Sequence, residues 1–261
     1  MKDRIKILAI GDIVGRESVE KVCRAVNGIR NQNDIDFTVA NGENAADGNG
    51  LDQSTAETLL GCGIDVLTSG NHIWQKKRMA EYIDSNPYIV RPANYPAGTP
   101  GRGYTIYDSF GLRVLVMNVL GTTFMEPLSS PFDAIDEILG ETKGTYDVSV
   151  LDIHAEATAE KLALANYFDG RINVIFGTHT HVQTADTRIF PNGTGYLTDL
   201  GMCGCVNSVL GVSVDKVIQK FRTRMPVQFE NPSGDTEMNG AIFTLEKGKT
   251  ASVELIRKLI Y

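Results

Sequence analysis

Five short apolar runs, each stopping at a knot of glycine and polar residues, constrain this chain more than any other feature it has. Ile5 to Ile10, broken only by Lys6, stops at Gly11 and Asp12, and Phe37 to Ala40 stops at Asn41, Gly42, Glu43 and Asn44. Val66 to Thr68 runs into Ser69, Gly70, Asn71 and His72; Val148 to Ile153 delivers His154; Val174 to Phe176 leads to Gly177, Thr178, His179, Thr180 and His181. Apolar runs of this length closed by glycine read as buried strands. Between them lie helical patterns: Val19, Val22, Cys23 and Val26 on one face, then Leu51 to Leu60, then Gln75 to Asp84. The alternation predicts an α/β fold whose inner sheet is largely parallel. Ligands bind beyond the carboxyl ends of strands in such sheets, so the five polar knots are expected to converge on one crevice.

The middle of the chain changes character. Pro92, Pro96, Gly98, Pro100, Gly101 and Gly103 crowd one loop, after which Tyr104 to Tyr107 and Leu112 to Asn118 read as a hairpin, and Phe132 to Leu139 as a short helix. Leu164, Tyr167 and Phe168 mark a further helix face after His154. Beyond His181 short strands dominate (Thr187 to Phe190, Gly195 to Thr198, Ala241 to Leu245, Ser252 to Ile260), with a helix near Asp215 to Phe221. These later strands are expected to build a second sheet stacked on the first, with helices outside both. Residues 1–261 read as a single domain, since no linker, repeat or low-complexity tract interrupts them.

A net charge of −7 opposes a stably held nucleic-acid polymer or an anionic membrane, and no apolar stretch approaches spanning length. With an N-terminal apolar run too brief for a signal-peptide core, the expected location is cytoplasmic. Four cysteines in 261 residues are no disulfide scaffold; Cys23 and Cys62 read as helix-buried thiols, and Cys203 and Cys205 as reduced loop cysteines.

Taken singly, each polar residue has an ordinary explanation. Asp12 could close a turn, Glu43, Asn44 and Asn71 could be turn residues, and each histidine could be a satisfied or surface side chain. Their order is the informative part. Gly11-Asp12, Gly42-Glu43-Asn44, Gly70-Asn71-His72, His154 and Gly177-Thr178-His179-Thr180-His181 together resemble the calcineurin-like metallophosphoesterases. Two departures narrow the resemblance: Asp12 is followed by Ile13 and Val14 where that superfamily usually has Asp-x-His, and Glu43 stands where the bridging acid is usually aspartate. With Arg91-Pro92-Ala93-Asn94 and Asp152-Ile153-His154-Ala155-Glu156, these features resemble the bacterial YmdB-like branch. Cys203-Gly204-Cys205 departs from the Met-Thr-Gly type of sequence of that branch.

The resemblance implies a sandwich of two stacked mixed sheets flanked by helices, in four layers α/β/β/α. It also implies a phosphodiesterase acting on 2′,3′-cyclic nucleotides with two divalent metal ions, iron and/or manganese. Asp12, Glu43, Asn44, Asn71, His154, His179 and His181 are the implied metal ligands. Glu43 would bridge, Asp12, Asn44 and His181 would complete one site, and Asn71, His154 and His179 the other. A metal-bridging hydroxide would attack, and His72, beside a ligand without being one, would protonate the leaving oxygen. The competing reading is a regulatory or RNA-associated metal-binding protein with incidental phosphoesterase activity; self-association is left open by both.

Overall fold

In the computed structural model of the protein, which describes residues 3–261, period-2 burial sorts the strands into two sheets. The first sheet is centred on β1 (Arg4–Ile10), with β3 (Phe37–Asn41) and β4 (Val66–Thr68) parallel to it on one side. On its other side lies antiparallel β12 (Thr236–Glu246), whose far edge carries β13 (Lys249–Ile260). The start of β12 also pairs with β11 (Met202–Cys205), which in turn pairs with the two-residue β2 (Asp12–Ile13). The second sheet runs in the order β5 (Tyr104–Ser109), β6 (Leu112–Leu120), β7 (Val148–His154), β8 (Val174–Thr178), β10 (Gly195–Leu197), β9 (Arg188–Ile189).

Alternation along each strand assigns its faces. Ile5, Ile7 and Ala9 of β1 enter the inter-sheet core with Val114 and Val116 of β6, Val148 and Val150 of β7, and Phe243 of β12. Leu8 and Ile10 point the other way and pack under α1 (Arg16–Asn33), α2 (Gln53–Gly61) and α3 (Met79–Ser85) through Val22, Val26, Leu59 and Ile83. Leu115, Leu151 and Ile153 face α4 (Pro131–Glu141) and α5 (Thr158–Tyr167) through Ile135, Leu164 and Ala165. The result is the α/β/β/α order expected. α6 (Val214–Thr223) lies apart from these cores and buries only Val217. No helix among the described residues is long and apolar enough to cross a membrane.

Three expectations need correction. Of the strands after His181, β9 and β10 do join the second sheet, but β11, β12 and β13 return to the first, and β7 and β8, read above as members of the inner parallel sheet, belong to the second. Periodicity states which face a strand buries but not which edge it joins, and β12, buried along all but its last residue or so, is the strand able to fill the centre beside β1. Both sheets are consequently mixed. Cys23 and Cys62 are not isolated thiols; they face each other between α1 and the end of α2 and are disulfide-bonded, with Cα atoms 5.2 Å apart. Cys203 and Cys205 are free and buried, but they lie on β11 and not in a loop; burial pushes the Cys203 thiol up to about 12.

Candidate metal centre

The two sheets meet at their carboxyl ends, and there the polar knots converge. Asp12 comes from β2, Glu43 and Asn44 from the loop after β3, Asn71 and His72 from the loop after β4, His154 from the end of β7, and His179 and His181 from the turn after β8. Asn71 Oδ1 and His179 Nδ1 each lie 3.1 Å from His154 Nε2, making one group. Asn44 Nδ2 lies 3.4 Å from His181 Nε2, which is 3.9 Å from Asp12 Oδ1, making another. Glu43 Oε1 touches both: it is 3.1 Å from His154 Nε2 and accepts from Asn44 Nδ2 at 3.0 Å. The structure therefore brings all eight nominated side chains to one place, with Asp12 Oδ1 3.9 Å from both His154 and His181.

Backbone shape permits this approach. A Cβ on Gly70 would collide with Glu43 Oε2 and with the His154 ring, so the loop after β4 can reach the centre only with glycine there. His179 and His181 have φ of 97° and 64°, a left-handed conformation unfavourable for residues with side chains. That irregularity lets two imidazoles separated by one residue turn toward the same point, where a regular strand would hold them parallel but further along one face.

Each of the three buried or half-buried imidazoles has one nitrogen occupied outward. His154 Nδ1 lies 2.8 Å from Thr178 Oγ1, which donates to Asp152 Oδ1 at 2.7 Å; the Asp152 carboxylate also accepts from Thr68 Oγ1 and Asn41 Nδ2. His181 Nδ1 donates to the Leu210 carbonyl at 3.1 Å, and His179 Nε2 pairs with Glu156 at 3.2 Å. This leaves His154 Nε2, His179 Nδ1 and His181 Nε2 turned inward, the arrangement by which outer hydrogen bonds orient metal-binding imidazoles. Asn41, Asp152, Thr178 and the Leu210 carbonyl were not singled out from the sequence. Asp152 is the exception that carried a signal, as an acid inside an apolar strand.

A second clamp holds the turn itself. Lys161 of α5, buried, donates from Nζ to Thr178 O and to Asp199 Oδ2, both at 2.8 Å. Asp199 also accepts from Thr180 N, Thr180 Oγ1 and Gly201 N. Arg91 and Asn94, by contrast, serve the loops: Arg91 donates to the carbonyls of Pro92, Thr99 and Pro100, while Asn94 exchanges hydrogen bonds with Leu120.

The electrostatics fit a cation. Burial pushes the Asp12 carboxyl up to about 6 against the pull of His181 and His154. Burial acts the same way on Glu43, but the charge and hydrogen bond of His154, with His72, outweigh it and hold the carboxyl down at about 2. The same contacts overcome burial at His154 and raise it to about 9, whereas burial and its charged neighbour push His179 down to about 4. Asp12 Oδ1 is buried and has no hydrogen-bond partner among the described residues, a costly state for a polar atom that a bound cation would relieve. Glu43, His154 and His179 place ligand atoms within 4.8 Å of one another. Oxygen and imidazole donors without thiolate suit manganese, iron or zinc. Asn44 differs in detail from expectation: its Oδ1 faces His72 Nδ1 at 2.9 Å and its amide nitrogen faces Glu43 and His181. Ligation through Oδ1 requires the terminal amide to turn over, which would hand its NH2 to His72 Nδ1.

Residues 8–256 match the family described as YmdB-like protein. Over 256 residues the chain is 43% identical to the 2′,3′-cyclic-nucleotide 2′-phosphodiesterase of Bacillus subtilis (strain 168), covering 98% of this chain and 97% of that one. Among solved structures, a novel phosphatase from Mycoplasma pneumoniae aligns with a TM-score of 0.92 at 31% identity, over 100% of this chain and 95% of the other. A putative 5′-nucleotidase from Staphylococcus aureus aligns at 0.60 and 14% identity, over 97% of this chain and 54% of that one, a likeness of fold alone.

Proposed function

The chain belongs to the YmdB-like family, and from that premise we propose that it is a phosphodiesterase with two divalent metal ions, iron and/or manganese, that opens 2′,3′-cyclic nucleotides. The observation that carries the reading is the set of inward-turned imidazole nitrogens and carboxylate oxygens around Glu43, completed by the unpartnered Asp12 Oδ1. Asp12, Asn44 and His181 would hold one ion, Asn71, His154 and His179 the other, with Glu43 spanning both. When bound, such a pair of ions supplies Lewis-acid polarisation of the phosphate and acidification of water. A single metallophosphoesterase domain over 1–261 belongs to the same reading, because one inter-sheet core draws on residues from Ile5 to Leu245.

The chain's own contribution is positioning and proton transfer. Glu43 accepts from the His72 backbone N–H at 3.1 Å, and Asn44 engages His72 Nδ1, so the imidazole is held at the rim with Nε2 as its remaining nitrogen. The His72 side chain is 33% exposed, open enough to meet substrate, while Glu43 beneath it is 1% exposed. A ribose oxygen leaving phosphorus is a poor leaving group and needs a proton; His72 Nε2–H is placed to give it.

His72→Ala tests the role. It should retain both metals and the fold while turnover of a 2′,3′-cyclic nucleotide drops by about 10² to 10⁴, the range for losing a positioned proton donor. The loss should shrink on bis(4-nitrophenyl) phosphate, whose nitrophenolate departs without a proton. Equal losses on both substrates would remove the acid role, and a loss of metal would move His72 into the ligand set.

A further inference from the structure

Past His181 the crevice continues into a cavity of about 280 Å³ that none of the groups above explains. Its floor is the edge of the first sheet not covered by the second: Met202 and Gly204 from β11, Glu237 and Asn239 from β12, and Arg257 from β13. Glu237 and Asn239 are two apart on one strand, and Asn239 stands opposite Arg257 in the β12–β13 register, so all three side chains share a face. Val182 and Val206, 59% and 47% exposed, give it apolar walls. A concave, partly apolar space with a few converging polar groups, opening beside a reactive centre, is the form of a ligand subsite.

Its polar groups touch one another but keep unused hydrogen-bonding capacity. Asn239, 5% exposed, donates from Nδ2 to Met202 O at 2.8 Å, yet its Oδ1 is buried without a hydrogen-bond partner among the described residues. Glu237 Oε2 accepts from Arg257 Nε at 2.9 Å, and Oε1 lies 3.3 Å from Asn239 Nδ2. A carboxylate has roughly four acceptor positions and a guanidinium five N–H donors, so this pair leaves capacity on both. The floor thus offers a cationic donor and a carboxylate acceptor side by side, with the Asn239 amide buried beneath them.

We propose that this cavity is a nucleobase subsite selective for guanine, an inference that rests on the cyclic-nucleotide reading above. Guanine's Watson–Crick edge is the complement: O6 accepts, and N1–H and the N2 amino group donate, with no acceptor between the two donors. Arg257 would meet O6, while the two oxygens of Glu237 would take N1–H and N2–H. Adenine and cytosine put a ring acceptor beside their single amino group, and uracil flanks its one N–H with two carbonyls, so each would leave an acceptor facing an acceptor. A donor or acceptor left facing its like by the wrong ligand loses a hydrogen bond that the right one makes, which sets the preference. The apolar walls would cover the ring faces and add binding common to all bases.

Nucleosides test this without the phosphate chemistry. Titrated calorimetrically into the metal-loaded full chain, guanosine should bind at least tenfold more tightly than adenosine, cytidine or uridine. Glu237→Gln, which turns an acceptor into a donor facing a donor, should weaken guanosine at least tenfold and erase the preference. Gly204→Leu should abolish nucleoside binding by filling the floor; its Cβ would press first on the flexible Met202 sulfur, 3.0 Å away, so the strand can keep its place. Equal affinity for the four nucleosides, no guanosine binding, or an unchanged guanosine affinity in Glu237→Gln overturns the proposal. Rates on the four 2′,3′-cyclic nucleotides separate the two readings. Hydrolysis of all four at the same kcat/KM removes the guanine subsite and leaves the activity standing; selective guanosine binding with no hydrolysis removes the activity and supports the subsite.

Discussion

Lys161→Met is the sharpest test of how the turn carrying His179 and His181 is held. The ammonium is removed while the four methylene-like groups of the stem are roughly kept, so packing changes little. What remains is the Asp199 carboxylate, fully buried, still accepting from Thr180 and Gly201 but without the cation 2.8 Å away. Breaking a buried ion pair from one side costs about 3–5 kcal/mol, because the surviving charge stays desolvated. Against a total stability of about 5–15 kcal/mol for a globular protein, that is a large fraction. Urea unfolding of the metal-free protein should show the midpoint falling accordingly with an unchanged slope. Asp199→Asn in the Lys161→Met background should recover at least half of the loss, since the charge is gone while an amide oxygen still accepts from the turn. The Thr178 carbonyl also loses its donor, so the left-handed backbone at His179 and His181 is less firmly held and metal affinity should fall about 10- to 100-fold. A loss of stability under about 1 kcal/mol with metal affinity intact would refute the clamp.

Gly70→Ala should cost metal binding more than stability, because its Cβ would displace Glu43 and His154 while the sheets beneath are untouched; inductively coupled plasma analysis of metal content against the melting curve separates the two. Metal uptake should release protons. With His154 raised to about 9, the imidazole is protonated at pH 7 and must lose that proton to ligate, so loading in weak buffer should expel about one proton per protein, and apparent affinity should fall about tenfold for each pH unit below 9. Asp12, raised to about 6, adds a second proton as the pH drops below that value, and above about pH 10 the His154 contribution vanishes. Proton release independent of pH between 7 and 10 would contradict the Glu43–His154 pairing.

Several parts of the structure were legible in the linear chain because they are local. β4 coincides with its apolar run, Val66–Thr68, and α1 with the buried spacing of Val19, Val22 and Val26. α3 begins at Met79 and not at Gln75, since the residues before it are spent on turns tied by Gln75 N to His72 O and Met79 N to Lys76 O. The short strands β2 and β11 escaped notice because two to four residues carry too little periodicity, and their pairing is set by what lies beside them.

The sequence by itself determined which side chains stand at which strand ends, and in what order, because a strand's length and its terminating glycine are encoded within a few residues. It therefore determined the family and the identities of the eight nominated residues. Only the tertiary structure decided that β7 and β8 face β1, β3 and β4 across an interface between two sheets, which puts five of those residues on one side of the crevice and His154, His179 and His181 on the other. It also decided their protonation, since burial and a partner 3 Å away move carboxyls and imidazoles in ways residue type does not specify. The supports were mostly invisible, Asp152 beneath His154 being signalled only as an acid in an apolar strand: Lys161 with Asp199, the Leu210 carbonyl behind His181, and the joined edge of β11, β12 and β13. Each joins residues 20 to 38 positions apart, and an apolar pattern with a period of two specifies a face without naming its neighbour.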